Sequence, residues 1–346
     1  MSLSQFSGSN PNPQKIAVLG AGAWGTALAI HLAKAGHEVT LWAHSSERVQ
    51  ALKSQNENAR YLPGIKLPEN LQISDALTEI IPSVDAVLVV VPSDVFRGVL
   101  KNISGLLASD KVHIAWATKG FEPESQRLLH QVALEVLGND FGVTALSGPT
   151  FADEVAKGLP TAMVSASSDE AEAQYWADAF HFAAFRMYTQ TDIVGVEVGG
   201  AYKNIMAIAT GLSDGLGLGA NARAALVSRG MVEMMRFGQE LGGQSETLMG
   251  LAGLGDLVLT CTDDLSRNRR FGKRLAQTNQ SAQSVIEEIG QVVEGVKAVI
   301  AVKQIASELD LDLPIMEQVY RIVSEQSTPK EAALALLARS GKSERH

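Results

Sequence analysis

The sequence predicts an α/β domain built on a doubly wound parallel sheet, followed by a domain made only of helices. The chain has 346 residues, and at about 150 residues per domain this length suggests two domains. Its first half alternates short β-branched runs with helix-length segments, which is typical of βαβ units. From Val196 onward, one helical pattern follows another with few convincing strands.

Five strands are predicted in the first half, over Lys15–Leu19, Glu38–Trp42, Ala86–Val91, Val112–Thr118 and Val143–Leu146. The third strand is apolar at successive positions rather than alternate ones, which is typical of a central strand covered on both faces. We therefore expect helices on both sides of the sheet. The first of them is predicted over Thr26–Ala35.

The change of pattern near Thr189–Gly195 indicates the domain boundary. Helices beyond it are predicted over Val196–Thr210, Ala220–Leu241, Arg270–Ala276, Gly295–Leu309, Met316–Ser324 and Lys330–Ala338. The chain is accordingly divided into a flexible N-terminal segment over 1–14, an α/β domain over 15–194 and an all-helical domain over 195–340.

Composition excludes several classes of protein. The formal net charge is −9, whereas a nucleic-acid binder presents a basic face. The single cysteine, Cys261, rules out an intramolecular disulfide and a thiolate metal site, and it suits a reducing cytoplasm. The longest strongly apolar run, Ala86–Val91, is far shorter than the roughly 18 residues of a membrane helix. Residues 1–14 lack Lys, Arg and any long apolar run, so they do not resemble a secretory signal.

A glycine-rich segment follows the first strand directly. It reads Gly20-Ala-Gly-Ala-Trp-Gly25 and leads into a helical pattern. Gly20 permits a tight turn, Gly22 lets backbone N–H groups approach a pyrophosphate, and Gly25 lets the helix pack closely on the strand. The helix N-terminus adds unpaired N–H donors and a partial positive charge. The sequence therefore predicts a Rossmann-type domain that binds a dinucleotide through Gly20, Gly22, Ala23, Trp24 and Gly25.

The end of the second strand bears on which dinucleotide is bound. An acid at this place would bind the ribose hydroxyls of NAD, but Leu41–Ser46 contains no carboxylate and the next acid is Glu47. Its absence removes the repulsion against a 2′-phosphate, so that NADP is permitted and His44 or Arg48 could contact the phosphate. A solvated helix face is the alternative interpretation of Arg48. We expect NADP or NAD as cofactor, with NADP favoured.

Reduction of a phosphorylated ketone needs a proton donor beside the carbonyl and cations for the phosphate. Four segments could supply them: Trp116–Gly120 at the carboxyl edge of the sheet, Leu146–Ala152 after a strand, Gly199–Asn204 on a helix, and Gly253–Asp256 together with Ser266–Arg270. All four combine glycine with polar or charged side chains.

In the third of these segments, Gly199 and Gly200 lie one helical turn before Lys203 and Asn204. Long side chains on a helix lean toward its N-terminus, so this lysine and asparagine overlie a face without side chains. Each glycine weakens a helix by roughly 0.8–1 kcal/mol relative to alanine. The pair therefore indicates close approach of a ligand or another part of the protein, with helix packing alone as the alternative.

Six motifs occur together in one order: Gly20–Gly25, Ala117–Gly120, Ser147–Phe151, Val198–Asn204, Leu251–Leu257 and Ser266–Phe271. By these motifs the chain resembles the bacterial NAD(P)-dependent glycerol-3-phosphate dehydrogenases, from about Lys15 to Ala338. The resemblance implies reversible hydride transfer between NAD(P)H and dihydroxyacetone phosphate, which gives sn-glycerol 3-phosphate for phospholipid synthesis. It also implies a homodimer.

The same resemblance implies roles for individual residues. Lys203 would exchange a proton with the substrate oxygen, which requires a pKa lowered by burial and by cations such as Lys119. Asp256 would orient Lys203 or the substrate, and the planar guanidinium of Arg267 would hold the phosphate. The substrate contacts would be Lys119, Gly148, Thr150, Lys203, Asp256, Ser266, Arg267 and Asn268. Further cofactor contacts would be His44, Lys119, Ala152, Arg267, Val292 and Glu294.

His44 stands where the family often has an arginine, which leaves the choice between NAD and NADP open. Arg269 and Arg270 are expected to be solvated charges at a helix start. The pair Asp263–Asp264 is expected to be a loop rather than a metal site, because no His cluster accompanies it and hydride transfer needs no metal. Cys261 is expected to be a small core residue.

Two other functions compete with this interpretation. A β-hydroxyacid or sugar-nucleotide dehydrogenase of similar plan would not need a phosphate-binding cation at Arg267. A non-catalytic dinucleotide sensor would not explain Lys203 on a helix face cleared by glycines.

Overall fold

A computed structural model describes residues 12–109, 111–278 and 280–339. The strands are β1 (Lys15–Leu19), β2 (Glu38–Trp42), β3 (Glu57–Asn58), β4 (Leu62–Lys66), β5 (Gln72–Ser74), β6 (Ala86–Val89), β7 (His113–Trp116), β8 (Val143–Ser147), β9 (Thr161–Ala166) and β10 (Phe185–Gln190). The helices of the first half are α1 (Ala23–Lys34), α2 (Ser46–Gln55), α3 (Leu77–Ile80), α4 (Ser93–Ser104), α5 (Leu129–Leu137), α6 (Ala152–Lys157) and α7 (Glu170–Phe180).

The helices of the second half are α8 (Ile193–Gly215), α9 (Gly219–Glu240), α10 (Ser245–Leu248), α11 (Asp256–Thr262), α12 (Arg267–Gln277), α13 (Ala282–Ile289), α14 (Glu294–Glu308), α15 (Pro314–Val323) and α16 (Pro329–Leu337). A π-helical turn, Leu251–Gly255, leads into α11. The predicted helix positions agree with this list to within a few residues. The short helices α10, α11 and α13 were missed.

Eight strands form one sheet in the order β10-β9-β8-β7-β6-β1-β2-β5, while β3 and β4 pair separately. The five predicted strands correspond to β1, β2, β6, β7 and β8, and the doubly wound α/β fold is confirmed. The five predicted strands pair in parallel, as expected, whereas the additional strand β9 pairs antiparallel with β8. Only the short helix α6 connects them, whereas a parallel crossover normally uses a longer one.

Helices cover both faces of this sheet, as the apolar sequence of β6 predicts. On one face, α1 and α7 bury Leu28, Trp176 and Phe180 completely. On the other face, α4 and α5 bury Phe96 and Val132. The carboxyl ends of β1, β6 and β7 therefore meet at one edge, where this type of fold binds its ligands.

Helix α8 is the centre of the second half and is buried along almost its whole length. Its first turns pack with the core of the sheet through Ile193 and Val196. From Val198 onward it packs with the core formed by the C-terminal helices. The same helix therefore belongs to both hydrophobic cores.

Helices α8 and α12 touch backbone to backbone. A Cβ atom on Gly211 would overlap the carbonyl oxygen of Arg269, and one on Gly272 would overlap that of Ile208. Because neither glycine has a side chain, the start of α12 lies directly against the helix that carries Lys203.

Within the described ranges, no helix combines the length and the apolar character needed to cross a membrane. The same ranges contain no cluster of three His, Cys, Asp or Glu side chains that could hold a metal ion. Of the segment 1–14 predicted to be flexible, residues 1–11 lie outside the described residues. The backbone N–H of Gln14 donates to Nδ1 of His37 at 3.1 Å, and the Tyr175 hydroxyl donates to Oε1 of Gln14 at 3.3 Å.

Candidate active site

The glycine-rich turn between β1 and α1 is shaped by contacts that only glycine allows. Gly20 has a φ of +123°, and a Cβ atom there would overlap the carbonyl oxygen of Val90. A Cβ atom on Gly25 would overlap the carbonyl oxygen of Gly20. At Gly22, by contrast, no atom lies within 4 Å of the position that a Cβ would take. The turn is therefore closed on the protein side and open above Gly22.

This open turn fits the pyrophosphate of a dinucleotide. Gly22 is the N-cap residue of α1 and no side chain caps this helix end, nor does its first turn contain an acid. The first N–H groups of the helix, among them those of Ala23 and Trp24, thus face an uncapped end with a partial positive charge. In the described part of the chain, Nε1 of Trp24 is also buried without a partner.

Two lysines from the two halves of the molecule share one carboxylate. Nζ of Lys203 on α8 donates to Oδ1 of Asp256 at 2.5 Å, and Nζ of Lys119, just after β7, donates to Oδ2 at 2.6 Å. Asp256 is completely buried and Lys203 is almost so. Lys203 also donates to the Thr260 hydroxyl at 2.9 Å, and Lys119 to the carbonyl oxygen of Gly148 at 3.2 Å. The group of two ammonium ions and one carboxylate keeps a net positive charge.

The surroundings of Lys203 lower its pKa to about 8. Burial is the main cause, because it disfavours the charged form. The nearby ammonium group of Lys119 lowers this pKa further, whereas Asp256 opposes the shift. Lys203 is therefore mostly protonated at neutral pH, yet it can release its proton slightly above neutrality.

The bare face of α8 is covered by protein. A Cβ on Gly199 would lie 2.6 Å from the carbonyl oxygen of Ala252, in the π-helical turn before Asp256. A Cβ on Gly200 would lie 2.9 Å from Oγ of Ser147, at the end of β8, and at an ordinary contact distance of 3.5 Å from Cγ of Lys119. The first glycine thus lets the segment that carries Asp256 approach α8, and the second lets Ser147 approach it. Both are packing contacts of α8 with protein.

The residues predicted to hold the phosphate lie at the start of α12. Arg267 is exposed, and its Nη1 is 3.5 Å from Oε1 of Gln291. Ser266 instead caps the helix by accepting from the N–H of Arg269. Asn268 is buried, donates to Oδ1 of Asn204 at 2.8 Å and accepts from the N–H of Gly295 at 2.9 Å. Arg267 thus presents an exposed guanidinium, while Ser266 and Asn268 hold the helix in place.

The remaining predicted residues lie around this centre. Gly148 follows β8, and the hydroxyl of Thr150 donates to its carbonyl oxygen at 3.2 Å. Ala152 begins α6. Glu294, at the start of α14, accepts from the Ser93 hydroxyl of the first half at 3.3 Å, and burial raises its pKa. Val292 precedes it and is partly exposed. His44 is exposed after β2.

Comparison with known proteins agrees with this geometry. The model of the NAD-dependent glycerol-3-phosphate dehydrogenase N-terminus matches residues 15–173, and that of the C-terminus matches residues 192–334. This chain belongs to the NAD-dependent glycerol-3-phosphate dehydrogenase family. The family resemblance read from the six motifs is confirmed.

The similarity to individual members of the glycerol-3-phosphate dehydrogenase family extends over almost the whole chain. A protein of Hydrogenovibrio crunogenus named glycerol-3-phosphate dehydrogenase [NAD(P)+] is 64% identical over 334 residues, which are 96% of this chain and 97% of the relative. The crystal structure of glycerol-3-phosphate dehydrogenase from Coxiella burnetii has 44% identity and a TM-score of 0.91, with 94% and 99% of the two chains covered. The yeast enzyme has 28% identity and a TM-score of 0.80, with 95% and 100% covered.

The structure corrects the expectation for Arg269. This residue is buried rather than solvated, and it forms ion pairs with Asp214 at the end of α8 and with Asp264. Its neighbour Arg270 is exposed, as expected. Arg269 lies on the inner face of α12 with Gly272, three residues further on, and this helical spacing was the signal that sequence reasoning missed.

Other parts of the site were missed because their partners are distant in sequence. Thr260 is 57 residues from Lys203, and Ser93 is 201 residues from Glu294. Thr260 lies one helical turn after Asp256, so its contact with Lys203 was predictable once Asp256 had been placed. No local signal in the sequence marks Ser93. Cys261, next to Thr260, is a buried core residue, as expected.

Proposed function

We propose that this chain reduces dihydroxyacetone phosphate with NADPH or NADH to sn-glycerol 3-phosphate, and catalyses the reverse reaction. The observation that carries the proposal is the pair of lysines on the buried carboxylate of Asp256, placed at the sheet edge that also holds the glycine-rich turn. Membership of the glycerol-3-phosphate dehydrogenase family supports the substrate and the use of NAD(P). The product would supply the glycerol backbone of phospholipids.

Bound NAD(P)H supplies the hydride that reaches the carbonyl carbon of the substrate. Lys203 donates its proton to the carbonyl oxygen as negative charge develops there, and in the reverse direction it accepts the proton of the hydroxyl. Lys119 stabilises the same developing charge through its positive field. Asp256 orients both ammonium groups and, because it favours the charged form of Lys203, limits how far the pKa of that lysine falls.

The remaining groups bind and orient. Arg267 binds the substrate phosphate, because its guanidinium is exposed and planar and can donate to two oxygens at once. Gly148 and Thr150 line the substrate side, while Ser266 and Asn268 fix the position of Arg267. The cofactor is held by the turn Gly20–Gly25 and by His44, Ala152, Val292 and Glu294.

The direct test is an assay of the purified protein with dihydroxyacetone phosphate and either NADPH or NADH, followed by nicotinamide absorbance. We expect oxidation of at least one cofactor. Absence of oxidation with both cofactors would refute the proposal.

Lys203→Met should lose turnover but still bind NADPH in a fluorescence titration, because the lysine exchanges a proton and does not form the glycine-rich turn. Turnover near that of the unmodified protein would remove Lys203 from its assigned role.

The protein is further proposed to be a cytoplasmic homodimer. The resemblance to the glycerol-3-phosphate dehydrogenase family supports the dimer. The single, buried thiol of Cys261 supports a reducing compartment. Light scattering during size-exclusion chromatography would give the mass in solution, and a mass of one chain at micromolar concentration would contradict the dimer.

A further inference from the structure

Two arginines stack on one tyrosine beyond the end of β2. The guanidinium carbon of Arg48 lies 4.8 Å from the ring centre of Tyr61, and that of Arg60 lies 5.1 Å from the same centre. Arg48 belongs to α2, directly after β2, whereas Arg60 and Tyr61 lie between β3 and β4. These three residues form the cluster Arg48–Tyr61–Arg60, which has no role in the chemistry proposed above.

Asn58 ties this cluster to the glycine-rich turn. Its Oδ1 accepts a hydrogen bond from Nη2 of Arg48. Its Nδ2 donates to the carbonyl oxygen of Ala21, inside the turn, at 3.1 Å, and to the Thr26 hydroxyl of α1 at 2.7 Å. Asn58 is completely buried. One buried side chain therefore sets the distance between the Arg48 guanidinium and the turn that would hold the pyrophosphate.

Neither arginine is neutralised by an acid. Among the described residues, no carboxylate forms a salt bridge with Arg48 or Arg60. The acids on neighbouring elements are engaged elsewhere: Glu57 accepts from the N–H of Gly64 at 2.9 Å and pairs with Lys66 at 3.1 Å, and Asp75 accepts from Ser46. The two guanidinium groups therefore repel each other, and Arg60 contributes to lowering the pKa of Arg48.

An anion placed between the two arginines would relieve this repulsion. The adenine ribose of a dinucleotide lies at the end of the second strand of a Rossmann-type fold, and its 5′ oxygen is bonded to the pyrophosphate that the glycine-rich turn holds. NADP differs from NAD only by a phosphate on that ribose. Guanidinium groups bind phosphate oxygens in pairs, and a fixed guanidinium loses less entropy on binding than a free one.

We propose that Arg48 and Arg60 bind the 2′-phosphate of NADP, with Tyr61 as their shared platform, and give this protein a preference for NADPH over NADH. This inference rests on the dinucleotide site of the proposed function. The inference adds to that function the residues that distinguish NADPH from NADH. Because Asn58 holds Arg48 in place before any ligand arrives, Arg48 makes the larger contribution and the exposed Arg60 the smaller one.

The test compares two ligands that differ only in the 2′-phosphate, adenosine 2′,5′-bisphosphate and adenosine 5′-monophosphate, by titration calorimetry. The unmodified protein should bind the bisphosphate at least about tenfold more tightly, because a charge-assisted hydrogen bond contributes about 1.5–3 kcal/mol. Arg48→Gln should reduce this ratio roughly tenfold, Arg60→Gln by less, and the double variant should bring it close to one. Binding of the monophosphate should stay within about twofold.

Lys53→Gln is the matched control. It removes one positive charge from the same helix α2, at an exposed position without a salt bridge among the described residues. It should leave the ratio unchanged, which separates a direct contact from a general effect of charge. A change at Arg48 could destabilise the fold, because Arg48 is hydrogen-bonded to the buried Asn58. Arg60 is exposed, so Arg60→Gln tests the same cluster without this risk.

Each possible result decides the question. Equal weakening of both ligands would leave the ratio unchanged and show that the cluster holds the adenine or the 5′-phosphate. Unchanged affinities for both ligands would show that it binds neither. Both results would overturn the proposal. The readout needs no turnover, so it stands apart from the assay of dehydrogenase activity. In an active preparation, the ratio of kcat/KM for NADPH and NADH should fall in the same order of variants.

Discussion

In the proposed mechanism, Asp256 sets the pKa at which Lys203 exchanges its proton and does not itself exchange one. Its two oxygens contact the two lysines at 2.5 and 2.6 Å, and it is the group that keeps the pKa of Lys203 from falling further under burial. A lysine whose pKa is about 8 can act as an acid in one direction and as a base in the other. The buried carboxylate is therefore what allows one residue to serve a reversible reaction near neutral pH.

The pH dependence of the two directions should be opposite. Reduction needs protonated Lys203, so its kcat/KM should fall as the pH rises through about 8; oxidation needs the neutral amine and should rise over the same range. Asp256→Asn removes the group that raises this pKa, and the midpoint should move to lower pH. Stopped-flow measurement of both directions between pH 6 and 10 checks this, and a midpoint that stays in place would contradict it.

Arg267 should affect binding more than chemistry. Its side chain is exposed at the start of α12 and forms no salt bridge among the described residues, so that Arg267→Leu removes the proposed phosphate contact without breaking an ion pair. We expect KM for dihydroxyacetone phosphate to rise at least about tenfold, since a charge-assisted hydrogen bond contributes about 1.5–3 kcal/mol. Arg270→Leu, at the exposed neighbouring position, is the control and should change KM little. Equal KM values for the two variants would move the phosphate site elsewhere.

At the scale of secondary-structure elements, the contact between α8 and α12 sets the position of Arg267. Gly211 and Gly272 let the two backbones touch, and the buried Arg269 pairs with Asp214 at the end of α8. Helix α12 is therefore held on α8 by close backbone contact and by a buried ion pair. A change in that contact should alter the substrate site without touching the substrate.

Replacement of Gly211 measures this contact. In Gly211→Ala the new Cβ overlaps the carbonyl oxygen of Arg269, and overpacking of this kind costs about 1–3 kcal/mol of unfolding free energy. Gly98→Ala in α4 is the control, because no atom lies within 4 Å of its Cβ position; it should stabilise by about 0.5–1 kcal/mol. Urea denaturation gives both values. Equal stabilities would contradict a tight contact between α8 and α12.

Elements with a strong local pattern were predictable from the sequence. The strands β1 and β2 were predicted with their observed bounds, because each is a short run that contains β-branched residues and lies between clear turns. Strand β9, Thr161–Ala166, was missed because three of its six residues are Ala or Ser, which are weak strand formers. Its antiparallel pairing with β8 depends on the tertiary path of the chain, which local patterns do not encode.

The same distinction applies to the site. Lys119, Lys203, Asp256 and Arg267 stand in motifs and were named from the sequence. The structure brings the two lysines together on the Asp256 carboxylate, while Arg267 lies at the start of α12 beside Gln291. The burial of Arg269 was not predicted, because an arginine in a basic run is usually solvated. Its partner Asp214 is 55 residues away, so that only the packing of α12 on α8 shows why the charge is buried.

At the scale of the whole molecule, α8 couples the two halves. Ile193 and Val196 pack with the sheet, and residues from Val198 onward pack with the C-terminal helices. A loss of either core would expose one end of this 23-residue helix. The two halves should therefore unfold together rather than in separate steps.

The tryptophans make this prediction testable. All four, Trp24, Trp42, Trp116 and Trp176, belong to the first half, so their fluorescence follows the sheet domain, while circular dichroism at 222 nm follows mainly the helices of the second. The two probes should give coincident urea transitions, which is the criterion for two-state unfolding. Two separated midpoints would show that α8 does not couple the halves.

The carboxylate of Asp256 also limits how far the two halves of the molecule can move apart. It belongs to the second half and is fully buried, whereas Lys119 belongs to the first half and is partly buried. Any opening wide enough to separate these two groups leaves a buried charge with one partner fewer, which is costly in a protein interior. Backbone amides of the Leu251–Gly255 turn should accordingly exchange with deuterium only on the timescale of global unfolding, and the substrate meets a charge pattern that is already assembled.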